Sequence, residues 1–235
     1  MIRNALLSEG INILCTNNEN ISRFVSCRTE EVLLLLNRYI QEIELFNPAY
    51  GLVGTNDINE LVIKHILDSL APLGIMLQLL HANTVLSAGE NDLKNMEIKI
   101  ADAGSGAGLP GIPLAVTLPD IHFTLIERMG RRAGFLLNTK AALNLSNITI
   151  DECELEKTVC RGFNLITFRA FKPLEPKLLK TLLKLLLPSG IIAAYKGRIK
   201  KTETEMSGMD CNWEVIPYKT PFLDEERHLL VIKKQ

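Results

Sequence analysis

The chain has 235 residues, of which 47% are hydrophobic and 23% charged, a composition typical of a folded globular protein rather than a disordered one. This length fits one sizeable α/β domain with an extension and excludes two large domains. The formal net charge of −1 excludes a strongly basic protein, so any nucleic-acid partner must meet a local basic patch.

Helical patterns dominate the first ninety residues. A short helix is predicted over residues 2–10, and a second begins near Thr29, keeps apolar residues on one face and stops at Asn47-Pro48. A further helical stretch spans residues 57–80, with a break at Pro72. We therefore expect residues 1–90 to form an N-terminal helical extension packed on the core.

Strand and helix patterns alternate through residues 91–235, which we assign to a second unit. The predicted strands lie near 97–103, 122–127, 148–151, 164–168, 190–195, 213–218 and 227–233, and the predicted helices at 111–118, 131–144 and 175–187. This alternation predicts an α/β fold with a mainly parallel sheet, helices on both faces, and a ligand site at the carboxyl ends of the strands.

A glycine-rich stretch follows the first of these strands. The sequence from Asp102 to Pro113 reads Asp-Ala-Gly-Ser-Gly-Ala-Gly-Leu-Pro-Gly-Ile-Pro, which predicts a strand, a tight turn and a helix. Glycine permits positive φ and a close approach of a ligand to the main chain, and proline suits the first helical turn. Amides left unpaired at the helix start are expected to face the ligand.

Two ligand classes compete for this turn. The string that begins at Gly106 matches the dinucleotide fingerprint G-x-G-x-x-G, and Glu127 stands 19 residues beyond Gly108, where an acid binds a ribose. Asp102 argues against a dinucleotide, because a carboxylate at the strand end repels a pyrophosphate. S-adenosylmethionine is cationic, carries no phosphate and still has a ribose, so we favour it as the ligand.

Other polar residues follow the predicted strands. Asp102, Glu127, Glu152 and Arg169 each come after an apolar run and are expected to converge on one crevice. Arg128, Arg131, Arg132 and Lys140 form a basic edge, which is either a solvated helix face or a binding surface for RNA phosphates.

Cysteine and histidine patterns carry little functional signal. The five cysteines show no C-x-x-C spacing, so neither a disulfide framework nor a metal site is predicted. His65 and Asp68 share a helix face, where an isolated histidine is more often structural than catalytic. The N-terminus has no apolar signal segment and no run is long enough to cross a membrane, so we expect a cytoplasmic protein.

Several motifs together resemble a known family. They are Asp102–Pro113, Arg169-Ala-Phe-Lys-Pro-Leu174, Lys196-Gly197 and Glu226–Lys233, preceded by Asn47–Leu52 and His65–Ser69. On these residues the chain resembles the bacterial small-subunit rRNA guanine-N7 methyltransferases (the RsmG family, also called glucose-inhibited division protein B, GidB) from about residue 30 to its end.

The resemblance implies a Rossmann-like, S-adenosylmethionine-dependent methyltransferase that acts as a monomer on N7 of one guanosine in 16S rRNA, within the small ribosomal subunit or an assembly intermediate. The expected catalytic residues are Arg169, Lys196 and His65. The expected cofactor-binding residues are Asp102, Gly104, Gly106, Gly108, Leu109, Glu127, Arg128, Met129, Leu155, Glu156 and Arg169. The expected RNA-binding residues are Arg128, Arg131, Arg132, Lys196 and Arg198.

Other function classes remain open at this point. A small-molecule methyltransferase or a NAD-binding protein would use the same glycine-rich turn. A noncatalytic binding protein would retain the turn for structure alone and would have no affinity for S-adenosylmethionine.

Overall fold

The computed structural model describes residues 2–25, 28–88 and 97–234. Within them, seven strands form one sheet in the order β3-β2-β1-β4-β5-β7-β6. The strands are β1 Lys99–Ala103, β2 His122–Ile126, β3 Ile148–Asp151, β4 Phe163–Arg169, β5 Leu186–Lys196, β6 Trp213–Pro217 and β7 His228–Lys233. Strands β1 to β5 run parallel, whereas β7 is antiparallel to both β5 and β6.

The strand order reverses between β1 and β4. Chain connections leave this point in opposite directions, so a crevice opens beyond the carboxyl ends of these strands, where doubly wound sheets bind their ligands. The prediction of a mainly parallel, Rossmann-like sheet is confirmed.

Helices cover both faces of the sheet. They are α1 Ile2–Asn17, α2 Glu19–Val25, α3 Thr29–Tyr50, α4 Ile58–Glu60, α5 Asp68–Leu70, α6 Leu73–Ala88, α7 Gly111–Thr117, α8 Gly130–Ala142, α9 Pro176–Leu185 and α10 Ile199–Met206. A π-helical segment, Leu61–Leu67, joins α4 to α5, and a 3-10 turn occupies Leu155–Lys157. The sequence pattern did not predict α10.

The N-terminal helices share one hydrophobic core with the sheet. Successive strand residues point to opposite faces, so Ile100 packs in the cluster that contains Leu36 and Ile66 of the N-terminal helices. Ala101 belongs to the opposite cluster, with Leu182 of α9. The predicted boundary between residues 90 and 91 lies outside the described residues.

The prediction that Asn47-Pro48 ends a helix is wrong. Helix α3 continues through Pro48 to Tyr50 and ends at Gly51, which has φ +58° and donates its amide to the Asn47 carbonyl at 2.9 Å. Glycine adopts this left-handed cap conformation without a Cβ penalty. The side chain of Asn47 accepts the amide of Val53 at 2.9 Å and so organises the following loop. Helix α1 likewise extends past the predicted residue 10 to Asn17.

Cysteines and metal-ligand side chains form no cluster in the part of the chain that the structure describes. Cys15, Cys153, Cys160 and Cys211 are free thiols, and Cys27 lies outside the described residues. No group of three or more His, Cys, Asp or Glu among the described residues is placed to hold a metal ion. None of the described helices combines the length and apolar character needed to cross a bilayer.

Candidate active site

The glycine turn between β1 and α7 has the backbone conformation that its sequence requires. Gly104, Gly106 and Gly108 have φ of +70°, +57° and +90°, values that residues with a Cβ rarely adopt. The turn brings the main chain to the carboxyl ends of β1 and β2. Each of these glycines is therefore required by conformation, whatever the ligand.

The amides of the turn are hydrogen-bonded within the protein. Their acceptors are the Ile126 carbonyl for Gly104 and Ser105, the Glu127 carboxylate for Gly106, the Ser105 carbonyl for Gly108 and Leu109, the Asp102 carboxylate for Gly111 and the Gly108 carbonyl for Ile112. The expectation that unpaired amides of the helix start face the ligand is therefore wrong. A pyrophosphate would find these donors already engaged.

Asp102 lies beneath the turn rather than at the crevice surface. Its side chain is fully buried, and Oδ2 accepts the Gly111 amide at 3.0 Å, while Oδ1 has no partner among the described residues. Burial raises the pKa of Asp102 to about 7. The expectation that Asp102 and the ligand meet at the surface is corrected: the carboxyl supports the start of α7 and holds a buried acceptor close behind the turn.

Glu127 links the carboxyl end of β2 to the glycine turn. Its Oε2 accepts the Gly106 amide at 2.9 Å and its Oε1 accepts the Met129 amide at 2.8 Å. The carboxylate is almost fully buried, yet Glu127 lines the crevice. Because each carboxylate oxygen has a second lone pair, the group is held in place and is still able to accept a bond from a ligand hydroxyl.

The crevice at the strand ends has a volume of about 530 Å³, which lies in the range of sites that bind small ligands and cofactors. It is bordered by the ends of β1, β2 and β4, the 3-10 turn and the start of α9. Its lining residues are Gly104, Ile126, Glu127, Arg128, Arg132, Cys153, Glu154, Leu155, Glu156, Ala170, Phe171, Lys172 and Lys177.

One wall of the crevice is closed by an ion pair. Glu156 and Lys172 face each other at 3.3 Å, and a backbone hydrogen bond together with this pair lowers the pKa of Glu156. Leu155 beside it is buried and supplies an apolar surface. The structure therefore brings both residues of the predicted adenine side to the crevice.

The crevice also has an aromatic residue in its lining, Phe171. A Cβ built on Gly104 would lie 2.1 Å from the ring of Phe171, so the ring packs directly on this glycine. Ala170, between Phe171 and the end of β4, has φ +49°, an unusual conformation that aims the loop across the crevice. The motif Arg169-Ala-Phe-Lys predicted a site here, but not the packing of the ring on the glycine turn.

Besides Glu152, just after β3, six predicted cofactor residues are not among those that line the crevice: Asp102, Gly106, Gly108, Leu109, Met129 and Arg169. Gly108 faces the side chain of Ile112, Leu109 is buried in the hydrophobic core, and the side chain of Met129 is 43% exposed. Glu152 is exposed near Gly130. Gly108 and Leu109 pack inside the turn and Met129 donates its amide to Glu127, so contact of these three residues with the cofactor stays a prediction.

Tyr39 supports the turn from the N-terminal helices. Its hydroxyl, fully buried, donates to the Ala107 carbonyl at 2.7 Å. The sequence analysis missed Tyr39, since it lies on the apolar face of α3 and resembles any other core aromatic residue.

Arg169 joins the sheet to the π-helical segment. Its Nη1 donates to the Lys64 carbonyl at 3.0 Å and lies 3.3 Å from Asp68 Oδ2, while its Nη2 lies 3.0 Å from His65 Nδ1. Burial and the Arg169 charge lower the pKa of His65 to about 4. The neutral imidazole therefore accepts a hydrogen bond from the guanidinium. Sequence reasoning placed Arg169 and His65 in one site, and the structure brings them together.

Asp68 is the centre of this network, a role that sequence reasoning missed. Its carboxylate is 3% exposed, and its Oδ1 accepts from Thr220 Oγ1 at 2.9 Å, Arg227 Nε at 3.2 Å and the Tyr218 hydroxyl at 3.5 Å. Two guanidinium groups thus share one buried carboxylate. The only available signals were the helical spacing of His65 and Asp68 and the motif that contains Arg227.

Lys196 is not free at the end of β5. Its ammonium lies 2.9 and 2.7 Å from the two carboxylate oxygens of Glu205 in α10. A lysine held this way has little charge to offer a phosphate, so the geometry does not support a direct role in catalysis or RNA binding. Glu205 escaped sequence analysis because α10 was not predicted.

The predicted basic edge divides into different environments. Arg128 and Arg131 are exposed, and Arg128 lines the crevice. Arg132 also lines it and donates to the Gly51 carbonyl at 3.4 Å, which ties it to the N-terminal helices. Arg198 is exposed just before α10.

Comparison with known proteins identifies close relatives of this chain. Residues 33–230 match the family described as GidB, rRNA small subunit methyltransferase G. A protein named ribosomal RNA small subunit methyltransferase G from Treponema denticola is 36% identical over 100% of this chain and 96% of its own. Proteins of the same name from Treponema pallidum (strain Nichols) and Cellvibrio japonicus are 37% and 32% identical, over 91% and 88% of this chain and 91% and 87% of theirs.

Proposed function

The chain belongs to the GidB family, rRNA small subunit methyltransferase G, and we propose that it transfers a methyl group from S-adenosylmethionine to N7 of one guanosine in 16S rRNA. The observation that carries the proposal is the Glu127 carboxylate, which ties the glycine turn to the end of β2 and lines a crevice of about 530 Å³. A carboxylate at this position suits the hydroxyls of a ribose.

The residues present fit a cationic cofactor better than a dinucleotide. Seven amides of the turn and the helix start, those of Gly104, Ser105, Gly106, Gly108, Leu109, Gly111 and Ile112, are engaged within the protein, which leaves few donors for a pyrophosphate. Asp102 Oδ1 is a buried acceptor without a partner among the described residues, and a positive charge beyond the turn favours ionisation of this carboxyl. Glu127, Leu155 and Glu156 would hold the ribose and adenine side of S-adenosylmethionine.

The reaction requires orientation rather than proton transfer. When bound, S-adenosylmethionine supplies an electrophilic methyl group on a sulfonium. Guanine N7 carries an in-plane lone pair, so the protein needs no base to activate it. His65, whose pKa is lowered to about 4, is neutral near pH 7 and holds Arg169 in place, a positioning role. Alignment of N7 with the methyl group lowers the activation free energy of methyl transfer by roughly several kcal/mol.

We propose that Arg169 orients the target nucleotide. Its two terminal nitrogens are held by Lys64, His65 and Asp68, while Nε has no partner among the described residues. A guanidinium fixed at one end can offer its remaining N–H groups, on Nε and Nη2, to guanine O6 or a phosphate. Because the major groove of A-form RNA is deep and narrow, the target base is expected to be unpaired or extruded.

The expected partner is 16S rRNA within the small ribosomal subunit or an assembly intermediate, and the enzyme is expected to act as a cytoplasmic monomer. Arg128, Arg131, Arg132 and Arg198 are the predicted RNA contacts, since Arg128 and Arg132 border the crevice and the other two are exposed. Such contacts neutralise phosphates and position the RNA without reading its sequence.

Transfer of labelled methyl from S-adenosylmethionine to small subunits from a strain lacking this gene tests the proposal. We expect N7-methylguanosine at one 16S position with the wild type and with Glu152→Gln, an exposed control, and strongly reduced transfer with Glu127→Ala. Labelling of a small molecule but no RNA would favour the small-molecule methyltransferase. Binding of NAD in place of S-adenosylmethionine would contradict the assignment of the glycine turn to S-adenosylmethionine.

A further inference from the structure

Helix α9 carries a row of lysines on one face. Lys177, Lys180 and Lys184 are all exposed, and their spacing places them within an arc of about 60° over a length of about 10 Å. The other face, which includes Leu178 and Leu182, is buried in the core against the sheet. The lysines therefore project away from the protein.

The row begins at the crevice and continues beyond the helix. Lys177 lines the crevice, beside the loop that carries Phe171. At the other end of α9, the Gly162 amide donates to the Leu185 carbonyl at 2.9 Å, so the exposed Arg161 adjoins the last helical turn. We call Lys177, Lys180, Lys184 and Arg161 the basic ribbon.

The basic ribbon has charge that the protein does not neutralise. Among the residues that the structure describes, none of its four cations lies in an ion pair, whereas Lys172 pairs with Glu156, Lys196 with Glu205 and Lys64 with Glu60. In a chain with a formal net charge of −1, a row of unpaired cations at one edge creates a local positive field.

We propose that the basic ribbon binds the phosphate backbone of the RNA strand that leads away from the target nucleotide, a proposal that rests on the proposed function. The row starts at the crevice proposed to hold the cofactor and runs down the outer face of α9. An anionic membrane surface fits less well, because the leucines of α9 are buried and unavailable for insertion into lipid. Flexible lysines supply affinity for phosphates without base specificity.

The test compares two triple variants that remove the same charge. The ribbon variant is Arg161→Gln, Lys180→Gln and Lys184→Gln, which spares the crevice residue Lys177. The control variant is Arg23→Gln, Arg38→Gln and Lys219→Gln, three exposed cations away from α9 that form no ion pair among the residues that the structure describes. Binding to small subunits lacking the modification is measured from about 50 to 200 mM KCl, the range in which phosphate contacts show their salt dependence. Thermal unfolding and S-adenosylmethionine binding check that both variants are folded.

We expect the ribbon variant to bind about 10- to 100-fold more weakly at the lowest salt, with a slope of log K against log salt shallower by about 2 to 3, and the control to match the wild type. Equal slopes for both variants overturn the proposal, as does an equal loss in both. Loss of binding to vesicles containing anionic lipid, with RNA binding unchanged, would assign the ribbon to a membrane and also overturn it. Wild-type protein that methylates no RNA contradicts the proposed function instead.

Discussion

Replacement of Asp68 by asparagine should remove the strongest electrostatic link between the N-terminal helices and the sheet. The carboxylate is 3% exposed and lies 3.3 Å from Arg169 Nη1 and 3.2 Å from Arg227 Nε. Asparagine has a similar shape but no charge, so Arg169 would lose its ion pair with Asp68 and Arg227 would keep only the pair with the more exposed Glu225. Each guanidinium side chain is 15% or 16% exposed, which allows little solvent compensation.

The cost follows from the burial of the group. Removal of one partner from a buried ion pair costs about 3–5 kcal/mol, and the residual exposure of the two arginines points to the lower end, about 3 kcal/mol. For a domain of this size, that loss lowers the melting temperature by about 6–12 °C. Glu225→Gln is the matched control: it also removes a carboxylate that pairs with Arg227, but Glu225 is 46% exposed, so it should cost less than about 1 kcal/mol.

Urea unfolding of the wild type and each variant at pH 7.5 measures the loss in free energy of unfolding caused by each substitution. An unchanged m-value excludes an altered unfolded state. Methyl transfer by Asp68→Asn should fall in kcat at saturating S-adenosylmethionine, with cofactor affinity retained, because Arg169 loses one of its anchors. A stability loss for Asp68→Asn no larger than that for Glu225→Gln would refute the reasoning. So would an unchanged kcat.

Two further predictions concern the turn and the histidine. Gly104→Ala must place a Cβ 2.1 Å from Phe171 at φ +70°, so we expect at least about tenfold weaker S-adenosylmethionine binding by calorimetry. The control Gly134→Ala has nothing within 4 Å of its Cβ and should stabilise α8 by up to about 1 kcal/mol. Equal affinity of the two variants for S-adenosylmethionine would contradict the prediction. Burial lowers the pKa of His65 to about 4, whereas the unfolded value is near 6.5, so the free energy of unfolding should fall by about 2–3 kcal/mol as the pH drops from 6.5 towards 4. His65→Gln should reduce this fall in urea unfolding measured across that pH range. An equal fall in the wild type and the variant would refute the prediction.

Most of the fold could be predicted from local sequence patterns. The glycine turn was predictable because three glycines at alternate positions, Gly104, Gly106 and Gly108, are typical of a turn with positive φ. The parallel sheet was predictable because strand and helix patterns alternate along the chain. The end of α3 was mispredicted for a local reason too. Pro48 lies in the last turn of α3, and the left-handed cap that ends the helix falls three residues later, at Gly51.

The candidate site was only partly predictable, since its side chains are positioned by distant partners. Asp68 and Arg227 are 159 residues apart, and the Tyr39 hydroxyl reaches a carbonyl 68 residues away. No periodicity in the sequence reports such pairings, because they arise only when the helices pack on the sheet. For the same reason Lys196 was predicted to contact the target nucleotide without its ion pair to Glu205 being foreseen.

The sequence by itself determined the order of strands and helices, the glycine turn and the resemblance to a methyltransferase family, because these depend on residue type and spacing along the chain. Only the tertiary structure decided that Asp102 lies beneath the turn, that Asp68 joins two arginines and that the three exposed lysines of α9 and the adjoining Arg161 form no ion pair among the described residues. Burial and charge pairing are properties of packed surfaces, and they exist only once distant segments meet.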